Sequence, residues 1–392
     1  MTNYALASST WDDNEYAAIQ RVIDSDMFTM GKEVAQYEKD FANFFGSKYA
    51  LMVSSGSTAN LLMIAALFFT QNESLKLKRG DEIIVPAVSW STTYFPLQQY
   101  GLKVKFVDID LDTLNMDLDK LEAAITEDTR AILSVNLLGN PNDFNKINEI
   151  IAGRNIFILE DNCESMGATI DGKQAGTFGE MGTYSTFFSH HMATMEGGCV
   201  VTDDEELYHI LLCIRAHGWT RNLPKFNKVS GEKSDDPFEE SFKFMLPGYN
   251  ARPLEMSGAL GIEQLKKLPS FIETRRENAT LFQRLFANHP HLRIQQETGK
   301  SSWFGFSLII KEGAPYTRAE LVKLLAKNGI ECRPIVTGNF LKNKEVLEHF
   351  DYEVAGSLEA AEYLEENGLF VGNHQNEIVK EIELLGGLLA VS

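Results

Sequence analysis

The sequence predicts an α/β protein: a large domain on a mainly parallel, mixed sheet, followed by a smaller C-terminal α+β domain. Three observations carry this. Short apolar runs recur at residues 83–85, 104–107, 131–135 and 156–159. They have few polar interruptions, the pattern of strands covered on both faces. Helical stretches at 118–125 and 144–151 lie between them, and strand–helix–strand repetition gives parallel strands with right-handed crossovers. Polar residues gather just after the strands, where open α/β sheets bind ligands.

Taken in order, the first run ends at Pro86, the second enters Asp108-Ile109-Asp110, and the fourth ends in Glu160-Asp161-Asn162. Residues 183–188 and 198–202 read as two further strands, and 204–216 as a helix capped by Asp203 or Asp204. The stretch 218–250 is polar and rich in Lys, Gly and Ser. It reads as a long loop with room for a hairpin, and a loop of that length marks a site or an interface. Helical patterning resumes at Pro253, including a long segment at 269–287. A strand at 303–310 and helices at 317–327 and 357–366 follow, and 373–388 closes the chain. The expected domains are 1–254 and 255–392, with the first thirty residues free to join either.

Composition bounds the function. The 392 residues are 44% hydrophobic and 23% charged, which argues against global disorder. With 36 basic and 55 acidic residues the net charge is −19, so nonspecific nucleic-acid binding is excluded as the main task. A few local Arg or backbone N–H groups can still hold an anionic substrate. Cys163, Cys199, Cys213 and Cys332 form no CxxC pair, so neither a disulfide framework, a zinc knuckle nor a ferredoxin-type cluster is signalled. Residues 1–12 lack a basic-then-apolar leader. The longest apolar run, 61–69, is too short to span a bilayer. A soluble cytoplasmic protein without a membrane partner is expected.

Several segments carry chemistry. Ser54-Ser55-Gly56-Ser57-Thr58-Ala59-Asn60 precedes an apolar helical run. It serves as an ordinary cap or as a phosphate-binding helix start, without the Lys of a nucleotide P-loop. Glu160 to Ser165 sits at a strand end, where a carboxylate pairs with a protonated ring nitrogen, binds a metal or caps a helix. In Ser189-His190-His191 through Glu196-Gly197-Gly198, paired histidines precede a Gly-Gly turn. A neutral imidazole is a good general base, but it also ligates metals and packs in cores. Adjacent residues on an extended chain point opposite ways, so at most one His faces a site. Trp90 stands just past a strand, stacking on a planar group or filling core. Arg215, His217, Arg221, Arg252 and Arg333 are donors for phosphates or sugar hydroxyls, or members of surface ion pairs.

In this order along nearly the whole chain, from Phe28-Thr29-Met30-Gly31 to Gly372-Asn373-His374, these motifs resemble the DegT/DnrJ/EryC1 sugar aminotransferase/dehydratase family of fold-type I pyridoxal-phosphate enzymes. The resemblance implies that Gly56, Ser57 and Ser185 hold the cofactor phosphate, and that Asn250 reaches it from the neighbouring subunit of a homodimer. It matches Trp90 to the aromatic stacked on the ring, Asp161 to the partner of the pyridine nitrogen, and Glu164 to a residue beside the cofactor. Phe28, Thr29, Arg221, Arg252 and Arg333 fall among its substrate contacts, and His217 beside the reacting groups.

Aminotransferases of the family carry a Lys six residues before the Glu of the Glu-Gly-Gly turn; here that position is His190. Lys bonds the cofactor covalently. Imidazole cannot, but it moves protons. The resemblance therefore narrows to the 3-dehydratases of deoxysugar biosynthesis, which use pyridoxamine phosphate regenerated from pyridoxal phosphate by L-glutamate. One branch of that group carries an iron–sulfur cluster; residues 218–250 here contain no Cys, which points to the cluster-free branch. The implied substrate is a GDP-linked 4-keto-6-deoxy sugar, with no metal. This choice of nucleotide rests on the resemblance alone.

Overall fold

The computed structural model describes residues 4–390. Seven strands of the large sheet come from residues 49–202: β1 (Tyr49–Val53), β2 (Glu82–Pro86), β3 (Lys103–Val107), β4 (Thr129–Val135), β5 (Phe157–Asp161), β6 (Met181–Ser185) and β7 (Gly198–Thr202). Each is apolar enough to be buried along nearly its whole length, because helices cover both faces. A smaller antiparallel sheet is formed by β8 (Leu292–Arg293), β9 (Gly305–Ile310), β10 (Cys332–Arg333) and β12 (Gly368–Gly372), in the order β8-β9-β12-β10.

The large sheet runs β1-β7-β6-β5-β4-β2-β3, and β11 (Tyr352–Val354) adds an eighth strand beside β3. Only β7 is antiparallel to its neighbours. The β11 edge is held by charge: Lys105, buried in β3, lies 2.9 Å from Glu82 and 3.7 Å from Glu353 of the added strand. The Asp108 carboxylate accepts from Ala360 and Ala361 N–H at 2.9 and 2.8 Å and from Lys120 at 2.7 Å. It thus caps the helix Glu359–Asn367, and the Asp110 carboxylate closes its own turn onto Asp112 and Thr113. Among the described residues no cluster of three His, Cys, Asp or Glu can hold a metal.

The chain crosses the boundary expected at residue 254. The long helix Glu255–Phe286 packs first on α1 (Asp13–Asp24) and α2 (Lys32–Phe45), then enters the small core beside Phe306 and Leu385. Tyr4 belongs to that small core, donating its hydroxyl to Gly372 O at 2.6 Å. A division into two domains near residue 254 is thus a proposal in which 4–10 pack with the second unit and 352–354 with the first.

Some boundaries differ from expectation. The strand expected at 183–188 is β6, ending at Ser185, and Phe187 and Phe188 are exposed in the loop beyond it. The helical patterning expected from Pro253 is a single helix, Glu255–Phe286, that passes unbroken through Pro269, where the long segment was expected to begin. Residues 218–250 hold a hairpin at Phe226–Asn227 and Gly231–Glu232 and a single helical turn, Pro237–Glu240. Among the described residues, no helix is long and apolar enough to cross a membrane.

Candidate active site

The site is assembled where the carboxyl ends of β5 and β6 meet the starts of α3 (Gly56–Leu67) and α4 (Ser91–Gln99). Ser55 caps α3 reciprocally: its hydroxyl accepts from Thr58 N–H at 3.1 Å, and the Thr58 hydroxyl accepts from Ser55 N–H at 2.9 Å. Among the described residues nothing takes the Gly56 or Ser57 N–H, so the helix start retains two free donors. Glycine at 56 is required by packing, because a Cβ there would lie 2.7 Å from Ser185 Cβ and 3.1 Å from Cys163 Sγ. The Ser57 hydroxyl is 2.9 Å from that of Thr92. The segment is a helix cap, and its first two N–H groups lie free next to Ser185.

Strand alternation sorts the polar residues that end β5. Glu160 is buried and accepts from Gly176, Phe178 and Gly179 N–H at 2.6, 2.5 and 2.8 Å, fixing that loop. Asn162 is likewise buried, donating to Ala175 O. Asp161 points the other way. Its Oδ2 accepts from Asn60 Nδ2 at 2.8 Å and Thr93 Oγ1 at 2.7 Å, and its Oδ1 from Cys163 N–H at 3.2 Å. Thr183 donates to Asn60 Oδ1 at 2.6 Å, which fixes the amide orientation. The carboxylate is thus 5% exposed, held by neutral donors, and without an ion-pair partner among the described residues.

Glu164 accepts from Leu138 N–H at 3.0 Å. Burial, against that hydrogen bond and with help from Asp161, pushes its carboxyl up to about 7. Trp90 precedes α4 and is 57% exposed, so it is not a core residue.

The paired histidines lie in a turn, not on an extended strand, and both rings pack on Phe304. His191 is buried, its Nε2 3.1 Å from Ser302 O and its ring packed on Phe304. His190 packs edge-on against Phe304 at 5.2 Å and Phe187 at 6.1 Å, and its Nδ1 has no partner. Burial and the Arg275 charge lower its pKa to about 4, so the ring is neutral at physiological pH. A cavity of about 430 Å³ borders the loop that follows, lined by Trp11, Phe188, Met195 and Glu196 among others.

The remaining expected residues lie further out. Phe28 and Thr29 are exposed beside Leu254. His217 adopts a left-handed backbone with φ +62°, donates its N–H to Tyr249 O, and packs its ring on Trp219 at 4.9 Å. Arg221 lies over the same Trp219 ring at 5.4 Å. Arg252 donates to Asn250 Oδ1 at 3.0 Å, and Ala251 O between them accepts from Ser54 N–H, beside the α3 start. Arg333 is exposed on β10, and four residues later Thr337 donates to Ser89 O beside Trp90. Arg215 is interior, paired with Glu38 and donating to Met52 O at 2.7 Å, so it is not a ligand donor. Among the described residues, no side-chain hydrogen bond joins His217, Arg221, Arg252 or Arg333 to Asp161 or His190. Sequence reasoning missed Asn60, Thr93, Leu138 and Phe304. Asn60 had a signal, lying one helical turn after Gly56 on the same face.

A mainly parallel sheet with one reversed strand, bearing a strand-end carboxylate beside a helix start, defines the fold-type I pyridoxal-phosphate class. The chain belongs to the DegT/DnrJ/EryC1/StrS aminotransferase family, whose family model matches residues 9–380. It is 74% identical over 389 residues to the GDP-4-keto-6-deoxy-D-mannose 3-dehydratase of Yersinia pseudotuberculosis, covering 99% of this chain and 98% of that one. It superposes on the Escherichia coli GDP-4-keto-6-deoxy-D-mannose-3-dehydratase with bound hydrated PLP with a TM-score of 0.98, at 71% identity over 99% of this chain and 100% of the other. A third match is a crystal structure of GDP-4-keto-6-deoxymannose-3-dehydratase with a trapped PLP-glutamate geminal diamine, with a TM-score of 0.97 at 70% identity over 99% and 100% of the two chains.

Proposed function

We propose that the chain is a pyridoxamine-phosphate-dependent 3-dehydratase that converts GDP-4-keto-6-deoxy-D-mannose to GDP-4-keto-3,6-dideoxy-D-mannose with release of ammonia. L-Glutamate returns the amine to the cofactor and leaves as 2-oxoglutarate. The observation that carries this reading is His190. Where an aminotransferase has the Lys that bonds the cofactor, this site has a neutral imidazole with an unpartnered Nδ1. The two relatives above at 74% and 71% identity bear the names of enzymes with this activity.

The residues present fit the cofactor. The free N–H groups of Gly56 and Ser57, with the Ser185 hydroxyl against them, suit a phosphate. Asp161 is a buried carboxylate ringed by donors and lacking a cation, which suits a protonated ring nitrogen. Trp90 offers an open ring face for stacking. When bound, the pyridinium supplies an electron sink conjugated to C4 of the sugar.

His190 then carries the protons. It takes one from the carbon bearing the amine and, now charged, delivers one to the departing C3 oxygen. A ring held near a pKa of 4 is a modest base but a strong acid. That balance suits a carbon already acidified by the sink and a hydroxyl that leaves poorly. The same His190 moves the proton of the glutamate α-carbon in the return half. Glu164 lies beside the ring. Arg221, Arg252, Arg333 and His217, with Phe28 and Thr29, hold the diphosphate, the sugar or glutamate.

The proposal includes a homodimer with a site shared between subunits, Asn250 reaching the neighbour's phosphate. It is supported by the apolar residues left exposed in one chain around the loop, Phe187, Phe188, Phe238, Phe242, Phe244 and Met245. It also places the enzyme in the cytoplasm, on the route to colitose in O-antigen lipopolysaccharide. The test is incubation with cofactor, glutamate and GDP-4-keto-6-deoxymannose. A keto sugar lighter by one oxygen, with free ammonia, is expected. A stable amino sugar without ammonia would mean aminotransfer instead.

A further inference from the structure

Behind His190 lies a strap, residues 301–304, that arrives from the second half of the chain. It is strained. Trp303 has φ +48°, and it faces Leu138, another non-glycine in the left-handed region with φ +53°. Each such residue is strained and persists only when its surroundings over-determine it. Phe304 N–H donates to Leu138 O at 3.0 Å, and Ser302 N–H to Gly139 O at 2.9 Å. A Cβ on Gly139 would lie 2.4 Å from Trp303 N, so the two segments touch backbone to backbone.

The strap is gripped from the other side by two neighbouring cations, of which Arg275 reaches the residues next to His190. Arg275, on the long helix, is 3% exposed. Its Nη1 donates to Phe304 O at 3.1 Å, Asn373 O at 2.9 Å and Trp303 O at 3.4 Å. Among the described residues it has no carboxylate partner, and its Nε has no acceptor. Interior charges are ordinarily paired, because an unpaired one is costly. Burial lowers its pKa to about 10, so it stays charged at neutral pH.

Resting on the functional reading above, we propose that Arg275 is a positioning residue for His190. Through the backbone of Trp303 and Phe304 it holds the aromatic wall against which the imidazole is aimed, and it keeps a positive charge behind that wall. The charge has a chemical use. It opposes protonation of His190, which keeps the base free, and it sharpens the proton-donating power of the imidazolium once formed. The other titratable group beside His190 is His191, held uncharged by burial, Arg275 and Arg276. Arg276 grips the same strap, donating to Ser301 O at 2.8 Å. Cys163, by contrast, is pushed far up by burial and by Asp161 and takes no part.

The experiment compares the parent with Arg275→Met and Arg275→Lys, each as the full chain. The His190 titration is followed by NMR, and kcat for dehydration is followed against pH in the loaded enzyme. Arg275→Met is expected to raise the His190 pKa, though not to its ordinary value, since burial is the larger cause of the lowering. It should move the acid limb of kcat up in pH by the same amount and lower kcat by about tenfold or more. Arg275→Lys, which keeps the charge, should return the limb to the parent position. An unmoved His190 titration in Arg275→Met would overturn the proposal, as would a lower kcat with an unmoved limb and no rescue by Lys. If Arg275→Met does not fold, Phe304→Leu reads the same wall: a raised His190 pKa and lowered kcat support the proposal, and parental values for both overturn it. A parent that makes no deoxygenated sugar refutes the functional reading alone, since the titration still judges Arg275.

Discussion

Asp161 and Phe304 bracket the site from different halves of the chain. Asp161 stands on the last residue of a buried strand, and its donors Asn60 and Thr93 come from the two helices that start beside it. That side is built from regular elements with relaxed backbone. Phe304 stands on an irregular strap with a strained neighbour, held by Arg275, Asn373 and the 138–139 turn. Under the proposed function the contrast is a division of labour: the sheet end would hold the cofactor in place, and the strap would aim the residue that moves protons. The adjacent histidines both meet the strap, His191 through Ser302 O and His190 against the Phe304 ring with its Nδ1 unpartnered.

The largest effect that can break this comparison comes from the histidines themselves. His190→Lys should lower kcat for dehydration by about 10²–10⁴-fold, the range for losing a general acid–base group. It should also give a protein–cofactor bond that borohydride locks. His191→Asn should leave kcat within a few-fold and instead lower stability by about 1–3 kcal/mol, the cost of disturbing a buried polar contact. Equal losses of kcat in both would erase the distinction.

On the sheet side, Asp161→Asn should cost on the order of 10²-fold in kcat, the scale of losing one preorganised electrostatic partner. It should also weaken cofactor retention on gel filtration. Cofactor held as tightly as by the parent, with kcat unchanged, would remove Asp161 from the site.

Acid sensitivity sharpens the picture of His190 in the cofactor-free protein. Its native pKa of about 4 lies below the ordinary 6.5. Between those values the unfolded chain binds a proton that the native ring refuses, so stability is present above 6.5 and is lost as pH falls toward 4. Denaturant titrations at several pH values should show that loss, and His190→Asn should remove a share of up to ~3 kcal/mol. An unchanged pH profile in the variant would mean that the ring is solvated. The smallest effect is expected from Asn60→Ala, about 1–3 kcal/mol from leaving one Asp161 acceptor short of a donor. Thermal melts with and without cofactor check it.

The sheet side was largely legible in the sequence because its signals are local. Apolar runs ending in polar clusters predicted β2 to β5 and the residues at their ends. The period of two does not reach the paired histidines, which lie in a turn, His190 N–H donating to Phe187 O, and not on an extended strand. Alternation explains why Glu160 and Asn162 are structural while Asp161 is not. The strap was not legible. Its residues read as the start of a strand, and Arg275 as one charge among many on a long helix. The strap's partners Leu138 and Gly139 lie about 165 residues earlier in the chain, Arg275 reaches Asn373 98 residues later, and nothing local encodes such contacts. The edge strand 352–354 escaped for the same reason, since three residues carry no period.

The central claim is that His190 carries protons to and from a cofactor it does not bond. The most direct measurement is exchange of the cofactor methylene hydrogen with solvent during the glutamate half-reaction, in the parent and in His190→Asn. The account predicts that exchange falls by about 10²-fold or more in the variant while cofactor binding persists. Exchange at the parental rate would contradict it and assign the proton to another group.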